Sequence, residues 1–554
     1  MEASGITVRK NVEIKVRDGT TLYANIFLPS RKGKYPAILL RTPYKKPERG
    51  FERFVMSGYV VVCQDVRGRY DSEGEFVPFF TDVHREAEDG YDTVEWIANQ
   101  SWCNGNVGTM GISYPGWLQY QLAKLRPPHL KAMNAISIPV ELQHLDFPCG
   151  SFKPGRRLSF LFNAIAPDIR RRKKLSEPHT PEQALEIWNR YLHETLIWNL
   201  PIAEVCKYLP EELAEYVLRW LQDPFKEVWH FEQAHHEIQV PNLDFTGWYD
   251  HCWSFGHFLG LRKNAKTQIA RKYSKIIIGP WNHVGLGSQN CGEIDFGPAA
   301  AVDMQTLQIQ WFDHWLKGID NGIENDSPVR YYVMGANKWK HYEIFPPETK
   351  NIELYLDFNG SLLSKVPSKS ERVGFIYDPK NPVPSLWTIS CFSSAYNLLE
   401  LKHRHDILWF ISQTLKHDIE IAGYPECVIY ASSSAVDTDF FVRLADNGPD
   451  GRCLEISSGM VRTRYRNGLE KENFLSRDEI AELRIRMSAT ACRFKKGHKI
   501  ALLITSSNFP EFDRNHNTGK NDIFDAELKI AKQTIYTGKK FPSRLILPVV
   551  KNGF

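Results

Sequence analysis

A serine at residue 113 has the surroundings of a catalytic nucleophile. It lies in a Gly-Ile-Ser-Tyr-Pro-Gly segment, residues 111–116, where a predicted strand over 107–112 passes directly into a predicted helix over 114–124. Such a turn strains the serine backbone and brings strand and helix so close that small flanking residues are needed. The second glycine follows Ser113 by three residues, one more than in Gly-x-Ser-x-Gly, and Pro115 is tolerated in a first helical turn. We predict a nucleophile, although the motif alone also fits a serine in an ordinary turn.

The chain also supplies an acid and a base for this serine. A nucleophilic serine needs an imidazole to take its proton and a carboxylate to fix the tautomer, and in α/β-hydrolases the acid precedes the histidine in the chain. Asp250 follows a predicted strand over 242–247, and His283 follows an isoleucine-rich strand over 275–279. Both stand at carboxyl ends of strands, where α/β sheets place their sites. The predicted catalytic residues are therefore Ser113, Asp250 and His283, acting through an acyl-Ser113 intermediate.

The elements around these residues predict an α/β core. Alternating residues on either side of Asp18-Gly19 indicate a β-hairpin. Short apolar runs at 37–40 and 59–64, with a helical segment between them, are typical of a parallel sheet covered on both faces. Residues 82–100 carry apolar side chains at helical spacing, and 132–138 and 301–318 read as a further strand and helix. The fold class is α/β, an α/β-hydrolase core.

Two segments differ from that core. Residues 139–240 are rich in Trp, Leu, Glu and Arg at helical spacing with repeated prolines, so we predict an inserted helical cap. Beyond residue 350 short alternating segments replace helical periodicity, which predicts a C-terminal all-β domain, a jelly-roll sandwich. The predicted division is core 1–138, cap 139–240, core 241–349 and jelly roll 350–554.

Several ordered motifs resemble the CocE/NonD hydrolases, which include cocaine esterase and are related to X-prolyl dipeptidyl peptidases and α-amino-acid ester hydrolases. The resemblance runs nearly end to end. The motifs are Arg41-Thr42-Pro43-Tyr44, Gln64-Asp65-Val66-Arg67-Gly68-Arg69, Asp71-Ser72-Glu73-Gly74, residues 111–116, Gly247-Trp248-Tyr249-Asp250, Gly279-Pro280-Trp281-Asn282-His283, Asp437-Thr438-Asp439-Phe440 and Ser507-Asn508-Phe509-Pro510.

This resemblance implies the same three-part architecture and the same three catalytic residues. It also implies two oxyanion donors, the Tyr44 hydroxyl and the Tyr114 backbone N–H. A phenol and an N–H at the start of a helix can both donate to a developing oxyanion. We expect a serine hydrolase of ester or amide bonds in a small molecule. The alternatives left open are an amide acylase or X-prolyl or aminoacyl peptidase, an acyltransferase, and, more remotely, a non-catalytic binding protein on this fold.

Composition limits the partners. A net charge of +4 over 554 residues is too small to indicate a nucleic-acid-binding surface. Neither a signal peptide nor a long apolar run is apparent, so we expect a cytoplasmic protein with no membrane partner. Ten cysteines without a C-x-x-C pair, and histidines without ligand spacing, lead us to expect neither a metal nor a cofactor. Homo-oligomerisation stays open.

Three charged groups receive non-catalytic interpretations. Asp65, Arg67, Arg69 and Asp71 are expected to form a salt-bridged scaffold near the site. The basic run at 170–174 is interpreted as a solvated turn. Asp437 and Asp439 are interpreted as turn or strand-end ligands to the backbone.

Overall fold

The computed structural model describes residues 5–79, 85–224, 231, 233–250, 254–386, 394–477 and 479–551. The first three residues of the helix predicted over 82–100 lie outside this part of the chain, as do Cys252 and Cys391.

A six-stranded sheet forms the first half of the core, in the order β1-β2-β4-β3-β5-β6. The first two strands form the predicted hairpin, with Lys15 opposite Thr21. Strands β4, β3, β5 and β6 run parallel, and most of their residues are buried, which is why they read as continuous apolar runs. The strands are Ile6–Lys15 (β1), Thr21–Pro29 (β2), Tyr35–Thr42 (β3), Val60–Asp65 (β4), Cys103–Ile112 (β5) and Leu130–Ile136 (β6).

A four-stranded sheet, in the order β12-β11-β8-β7, continues the core. Its strands are Leu243–Gly247 (β7), Lys275–Gly279 (β8), Val329–Val333 (β11) and Lys338–Tyr342 (β12), with a two-stranded ribbon, Asn290–Cys291 (β9) and Ile294–Asp295 (β10), beside it. A parallel bridge between Met133 and Asn242, and a hydrogen bond from Asn134 Nδ2 to the Leu243 carbonyl (2.6 Å), join β6 to β7. The two sheets therefore meet edge to edge and share one carboxyl edge.

Helices cover both faces of this sheet. Trp117 and Leu122 pack with Val62 and Leu39 on one face, and Trp311 and Phe312 pack with other strand residues on the opposite face. The core helices are Glu52–Met56 (α1), Glu86–Ala98 (α2), Tyr114–Ala123 (α3), Phe255–Asn264 (α10), Gln268–Tyr273 (α11) and Met304–Lys317 (α12).

The segment between β6 and β7 is helical, as its periodicity predicts. Its α-helices are Leu142–Asp146 (α4), Pro154–Ser159 (α5), Ala166–Arg172 (α6), Pro181–Ile187 (α7), His193–Leu196 (α8) and Glu211–Gln222 (α9), with shorter 3₁₀ and π segments between them. The solvated-turn interpretation of the run at 170–174 is wrong for Arg172, whose guanidinium donates to the Tyr70 and Ser72 carbonyls (2.8 and 2.9 Å). Backbone carbonyls of the loop after β4 need these donors, so the run fastens the helical segment to the core.

Beyond Glu348 every regular strand belongs to one thirteen-stranded, all-β unit within the described residues, which confirms the fold class of this part; the jelly-roll assignment stays a prediction. The strands are Thr349–Leu356 (β13), Ser361–Leu363 (β14), Glu371–Tyr377 (β15), Leu408–Ser412 (β16), Ile419–Gly423 (β17), Glu426–Ser433 (β18), Asp439–Asn447 (β19), Cys453–Arg462 (β20), Ala481–Arg486 (β21), Thr490–Phe494 (β22), Lys499–Thr505 (β23), Ala531–Thr537 (β24) and Arg544–Val550 (β25).

The two aspartates near β19 do more than bind backbone. Asp437 accepts the Arg464 backbone N–H (2.7 Å), as expected, but it also pairs with the Arg464 guanidinium (2.7 Å). Asp439 pairs with Arg462 at 2.9 Å. The backbone-only interpretation is therefore wrong, because buried carboxylates need charged partners.

No helix in the described part of the chain is both long and apolar enough to cross a bilayer. The exact boundaries between core, cap and β-domain stay predictions.

Candidate active site

Ser113 stands on a strained turn between β5 and α3. Its φ and ψ are 65° and −126°, in a region that non-glycine residues rarely adopt. Its N–H donates to the Ile136 carbonyl (2.9 Å), which holds the turn against the neighbouring strand. A Cβ on Gly111 would lie 2.5 Å from Pro115 Cβ, and one on Gly116 would lie 2.9 Å from an Ile138 methyl. The two glycines therefore permit the close approach of strand and helix, as the motif predicts.

Asp250 and His283 come together from the loops after β7 and β8. The His283 Nδ1 atom lies 3.2 Å from Asp250 Oδ1, and both side chains are almost completely buried. The Tyr249 N–H donates to the Trp281 carbonyl (3.0 Å), which ties the two loops to each other. Because Nδ1 of His283 contacts Asp250, Nε2 is the imidazole nitrogen that can exchange a proton with Ser113.

A second serine, Ser137, lies between the acid and the base. It is the first residue after β6, with a left-handed φ of 53°. Its hydroxyl donates to Asp250 Oδ2, and its Oγ lies 3.0 Å from His283 Nδ1. Because its proton is bound by the aspartate, Oγ faces the imidazole as an acceptor, which favours a proton on Nδ1. The sequence reasoning missed this residue: it placed Ser137 inside a strand over 132–138, although a serine at a carboxyl strand end next to the nucleophile strand was a usable signal.

A buried carboxyl group holds Ser137 in place from beneath. The Ser137 N–H donates to Asp244 Oδ1 (3.1 Å), and Asp244 is 1% exposed. Burial, assisted by the nearby charge of Asp250, raises the pKa of Asp244 to about 8. Asp244 is therefore largely uncharged at neutral pH.

Tyr44 and Tyr114 stand beside the Ser113 hydroxyl. Tyr44 follows β3, and its phenol lies close enough to the Ser113 side chain for that side chain to lower the pKa of the phenol slightly against the effect of burial. Burial raises the pKa of Tyr44 well above its ordinary value, so the phenol stays protonated and remains a donor. The Tyr114 N–H is in the first turn of α3, where backbone N–H groups have no intrahelical acceptor. The Tyr114 phenol donates to Glu86 (3.1 Å), a carboxyl whose pKa burial raises to about 8.

A cleft opens above these residues. The space is about 560 Å³, including its opening to solvent, and Ser113, Ser137 and Tyr44 line it. Its other walls are mainly aromatic or aliphatic, with two arginines of α5 among them: Phe79, Tyr114, Ile138, Pro139, Leu145, Arg156, Arg157 and Phe160. A concave, mostly apolar space with a few polar groups is typical of a small-molecule site.

All five predicted site residues lie at the shared carboxyl edge of the sheet. Asp250 contacts His283, and Ser113 lines the cleft beside Tyr44. Ser137 connects the two pairs, because it lines the cleft with Ser113 and contacts His283. The charged residues given a scaffold role do form ion pairs, such as Asp65 with Lys46 at 2.7 Å.

Comparison with known proteins gives the same family. Residues 18–285 match the family model described as X-Pro dipeptidyl-peptidase (S15 family), and residues 321–546 match its C-terminal non-catalytic domain. Cocaine esterase from Rhodococcus sp. (strain MB1 Bresler) is 32% identical over 98% of this chain and 99% of its own length. The chain belongs to the CocE/NonD family of serine hydrolases. It is accordingly an enzyme that hydrolyses ester or amide bonds.

Solved structures share this CocE/NonD fold over nearly the whole chain. An aminopeptidase from a Thaumarchaeota archaeon superposes with a TM-score of 0.85 at 23% identity, covering 99% of this chain and 97% of its own. An α-amino-acid ester hydrolase gives a TM-score of 0.82 at 23% identity, covering 99% and 98%. At such identity the likeness concerns the fold, including the α/β core and the C-terminal all-β domain.

Proposed function

We propose that this enzyme is a carboxylesterase of small molecules that acts through Ser113, His283 and Asp250. The observation that carries the proposal is the strained backbone of Ser113 at the start of α3, which places the serine side chain in the wall of the same cleft as the Tyr44 phenol. A nucleophile and an oxyanion donor must both lie beside the reacting carbonyl, and this pair meets that requirement.

In the proposed reaction His283 Nε2 takes the Ser113 proton as Oγ attacks the ester carbonyl. The Tyr44 hydroxyl and the Tyr114 N–H donate to the oxyanion that forms. Collapse breaks the ester bond, and His283 protonates the leaving alcohol. Water then attacks the acyl-enzyme, again losing its proton to His283, and the acid leaves as Ser113 is regenerated. Asp250 stabilises the imidazolium of His283 in both steps, and Ser137 positions the imidazole ring.

A second candidate is an X-prolyl or aminoacyl amidase. The family model that matches residues 18–285 favours it, because its description names X-Pro dipeptidyl peptidases. The esterase is preferred because the relative named cocaine esterase covers 98% of this chain at 32% identity. Amide and ester hydrolysis use the same nucleophile and oxyanion donors, so only the rates on ester and amide substrates distinguish the two activities.

Parallel kinetics on p-nitrophenyl butyrate and on glycyl-prolyl p-nitroanilide test the assignment. We expect Ser113-dependent hydrolysis of the ester, with a kcat/KM well above that for the anilide. Faster hydrolysis of the anilide would make the chain an amidase. Transfer of the butyryl group to an added amine in preference to water would make it an acyltransferase.

The location and assembly of the protein stay proposals. A cytoplasmic location and the lack of nucleic-acid or membrane partners rest on composition alone. Homo-oligomerisation is left to measurement.

A further inference from the structure

Two cationic side chains reach the cleft from the cap. Arg156 and Arg157 belong to α5, and both line the same space as Ser113 and Tyr44. Their positive charges, with that of Arg69, act on the Tyr44 phenol and oppose the effect of burial on the pKa of that phenol. Two positive charges therefore face the place where a substrate must lie.

Arg157 is built into the wall of the cleft. It is 6% exposed, and its guanidinium lies 5.2 to 5.3 Å from the ring centres of Phe79, Phe160 and Trp220. Its Nη2 pairs with buried Asp146, whereas its Nε has no hydrogen-bond acceptor among the described residues. Aromatic contacts hold the guanidinium in one position, which lowers the entropy lost when it binds a ligand. Arg157 therefore lines the cleft as a fixed, buried cation.

Carboxylates are missing from the same wall. None of the residues that line the cleft in the described part of the chain is an aspartate or glutamate. Asp146, which is 0% exposed, pairs with Arg157 and does not itself line the cleft. The cleft therefore offers an ammonium group no counter-charge from these residues, and it offers an anion two cations in an environment of low polarity.

We propose that the preferred substrates are esters that carry a carboxylate, bound by Arg156 and Arg157 while Ser113 attacks the ester carbonyl. This inference rests on the proposed esterase function and adds its substrate class. The carboxylate belongs either to the acyl group or to the leaving alcohol, and the chemistry of recognition is the same for both. Aminoacyl esters, which bear an ammonium group, are expected to be poor substrates.

Matched substrate pairs test the proposal on the unaltered enzyme. In one pair the acyl group of a p-nitrophenyl ester is glutarate or its terminal amide, glutaramate. In the other pair the leaving group is p-hydroxybenzoate or p-hydroxybenzamide, each carried as its acetyl ester. Members of a pair have nearly the same shape and differ in charge. We expect kcat/KM to be at least about tenfold higher for the carboxylate in one of the two pairs, since a charge-assisted hydrogen bond contributes about 1.5–3 kcal/mol. The pair that shows the difference identifies the side of the ester that carries the charge.

Two variants assign the preference to the arginines. Arg156→Gln removes the partly exposed charge, and the double variant Asp146→Asn, Arg157→Gln neutralises the buried pair together so that no unpaired carboxylate remains in the wall. At least one should bring the carboxylate and amide substrates to within about threefold of each other. Lys173→Gln removes one charge from the cap surface, where Lys173 pairs with Glu212, and should leave the preference unchanged.

The outcomes separate this inference from the proposed function. Equal or slower turnover of both carboxylate substrates, with p-nitrophenyl butyrate still hydrolysed, would overturn the inference and leave the esterase standing. A carboxylate preference that persists in both arginine variants would also overturn it. Failure to hydrolyse any ester would instead refute the proposed function. The preference should weaken as ionic strength rises, because salt screens the attraction between substrate and cleft.

Discussion

At the residue scale, the Ser137 hydroxyl forms part of the Asp250–His283 pair. Its Oγ is as close to His283 Nδ1, at 3.0 Å, as a hydrogen bond requires, and its proton is held by Asp250. Ser137 does not react with the substrate carbonyl. It acts through the imidazole of His283, because its hydrogen bond restricts how that ring can turn. Its contribution should therefore appear in the chemical step.

Ser137→Ala should lower kcat by about tenfold or more and change KM little, because one hydrogen bond to a charged group contributes about 1.5–3 kcal/mol. Asp250→Asn should lower kcat by about three to four orders of magnitude. If Ser137 acts through Asp250 and His283, the double variant should be scarcely slower than Asp250→Asn alone. Ser543→Ala, which removes a buried hydroxyl that donates to the Tyr536 carbonyl in the β-domain, is the control for losing such a group. Additive effects of Ser137→Ala and Asp250→Asn would contradict the positioning role.

Tyr44→Phe should lower kcat by about 10²–10³ with little change in KM or melting temperature. The reason is that the phenol is a protonated donor beside Ser113, whereas the ring keeps its packing against Tyr114 and Phe160. Tyr377→Phe, which removes a buried phenol from the β-domain, should leave kcat unchanged. Steady-state kinetics on an activated ester measure both variants. A kcat of Tyr44→Phe within threefold of the unaltered enzyme would show that the phenol only packs.

At the residue scale, some roles follow from the sequence and others depend on contacts between distant parts of the chain. Ser113, Asp250 and His283 could be placed at carboxyl strand ends because each follows a strand with a clear apolar pattern. Ser137 also stands at a carboxyl strand end, but its role could not be read from that position, because the role depends on a left-handed φ and on contacts with residues 113 and 146 positions away in the chain. The arginines of α5 were missed for the same reason: no local pattern shows which face of a short cap helix points at the nucleophile.

At the element scale the turn from β5 into α3 is tightly packed. Gly111→Ala would push a Cβ against Pro115, in the first turn of α3, where the helix start supplies the Tyr114 N–H. We expect a loss of about 1–3 kcal/mol in stability, as for other overpacked sites, together with a lower kcat because the oxyanion donor is displaced. Gly318→Ala is the matched control: its Cβ would contact nothing within 4 Å, but its φ is 70°. It should lose about 1–2 kcal/mol from the left-handed backbone alone and keep its kcat. Equal kcat values for the two variants would contradict the account of the turn.

Other elements differ from their sequence patterns for physical reasons. The helical segment expected between β3 and β4 is only the five residues of α1, because most of that connection is loop that carries Tyr44 and Lys46 towards the site. The hairpin, the buried parallel strands and the change to an all-β pattern near residue 350 follow the sequence closely. In these elements burial on one face or both faces fixes the residue pattern directly.

At the scale of the whole molecule, a buried charge cluster joins the cap to the β-domain. The Arg462 guanidinium lies 2.7 to 3.3 Å from carboxylate oxygens of Asp439, Asp513 and Asp522. It also donates to the Gly150 carbonyl in the cap (3.1 Å). Burial raises the pKa of Asp439 to about 6 and that of Asp522 to about 7, although Arg462 lowers both.

Arg462→Met should destabilise the protein by about 3–5 kcal/mol, because it leaves buried carboxylates without their cation. The sign of the pH dependence follows from those pKa values. Without Arg462 the carboxyl pKa values rise further, so the native state of the variant binds protons more readily than its unfolded state, and its deficit shrinks as pH falls. Melting temperatures near pH 5 and pH 8 measure this, and Arg484→Met, which removes a 57% exposed arginine side chain, should change them little. A deficit that is larger at pH 5 would contradict the proposed role of the cluster.

The central claim is that Ser113 is the activated nucleophile of the whole assembly, and labelling with a fluorophosphonate followed by intact-mass analysis tests it most directly. Only an activated hydroxyl attacks such a phosphorus centre at a useful rate. We predict one adduct per chain in the unaltered protein, located on Ser113, no adduct in Ser113→Ala, and a greatly slowed reaction in His283→Ala. Undiminished labelling of Ser113→Ala would contradict the account.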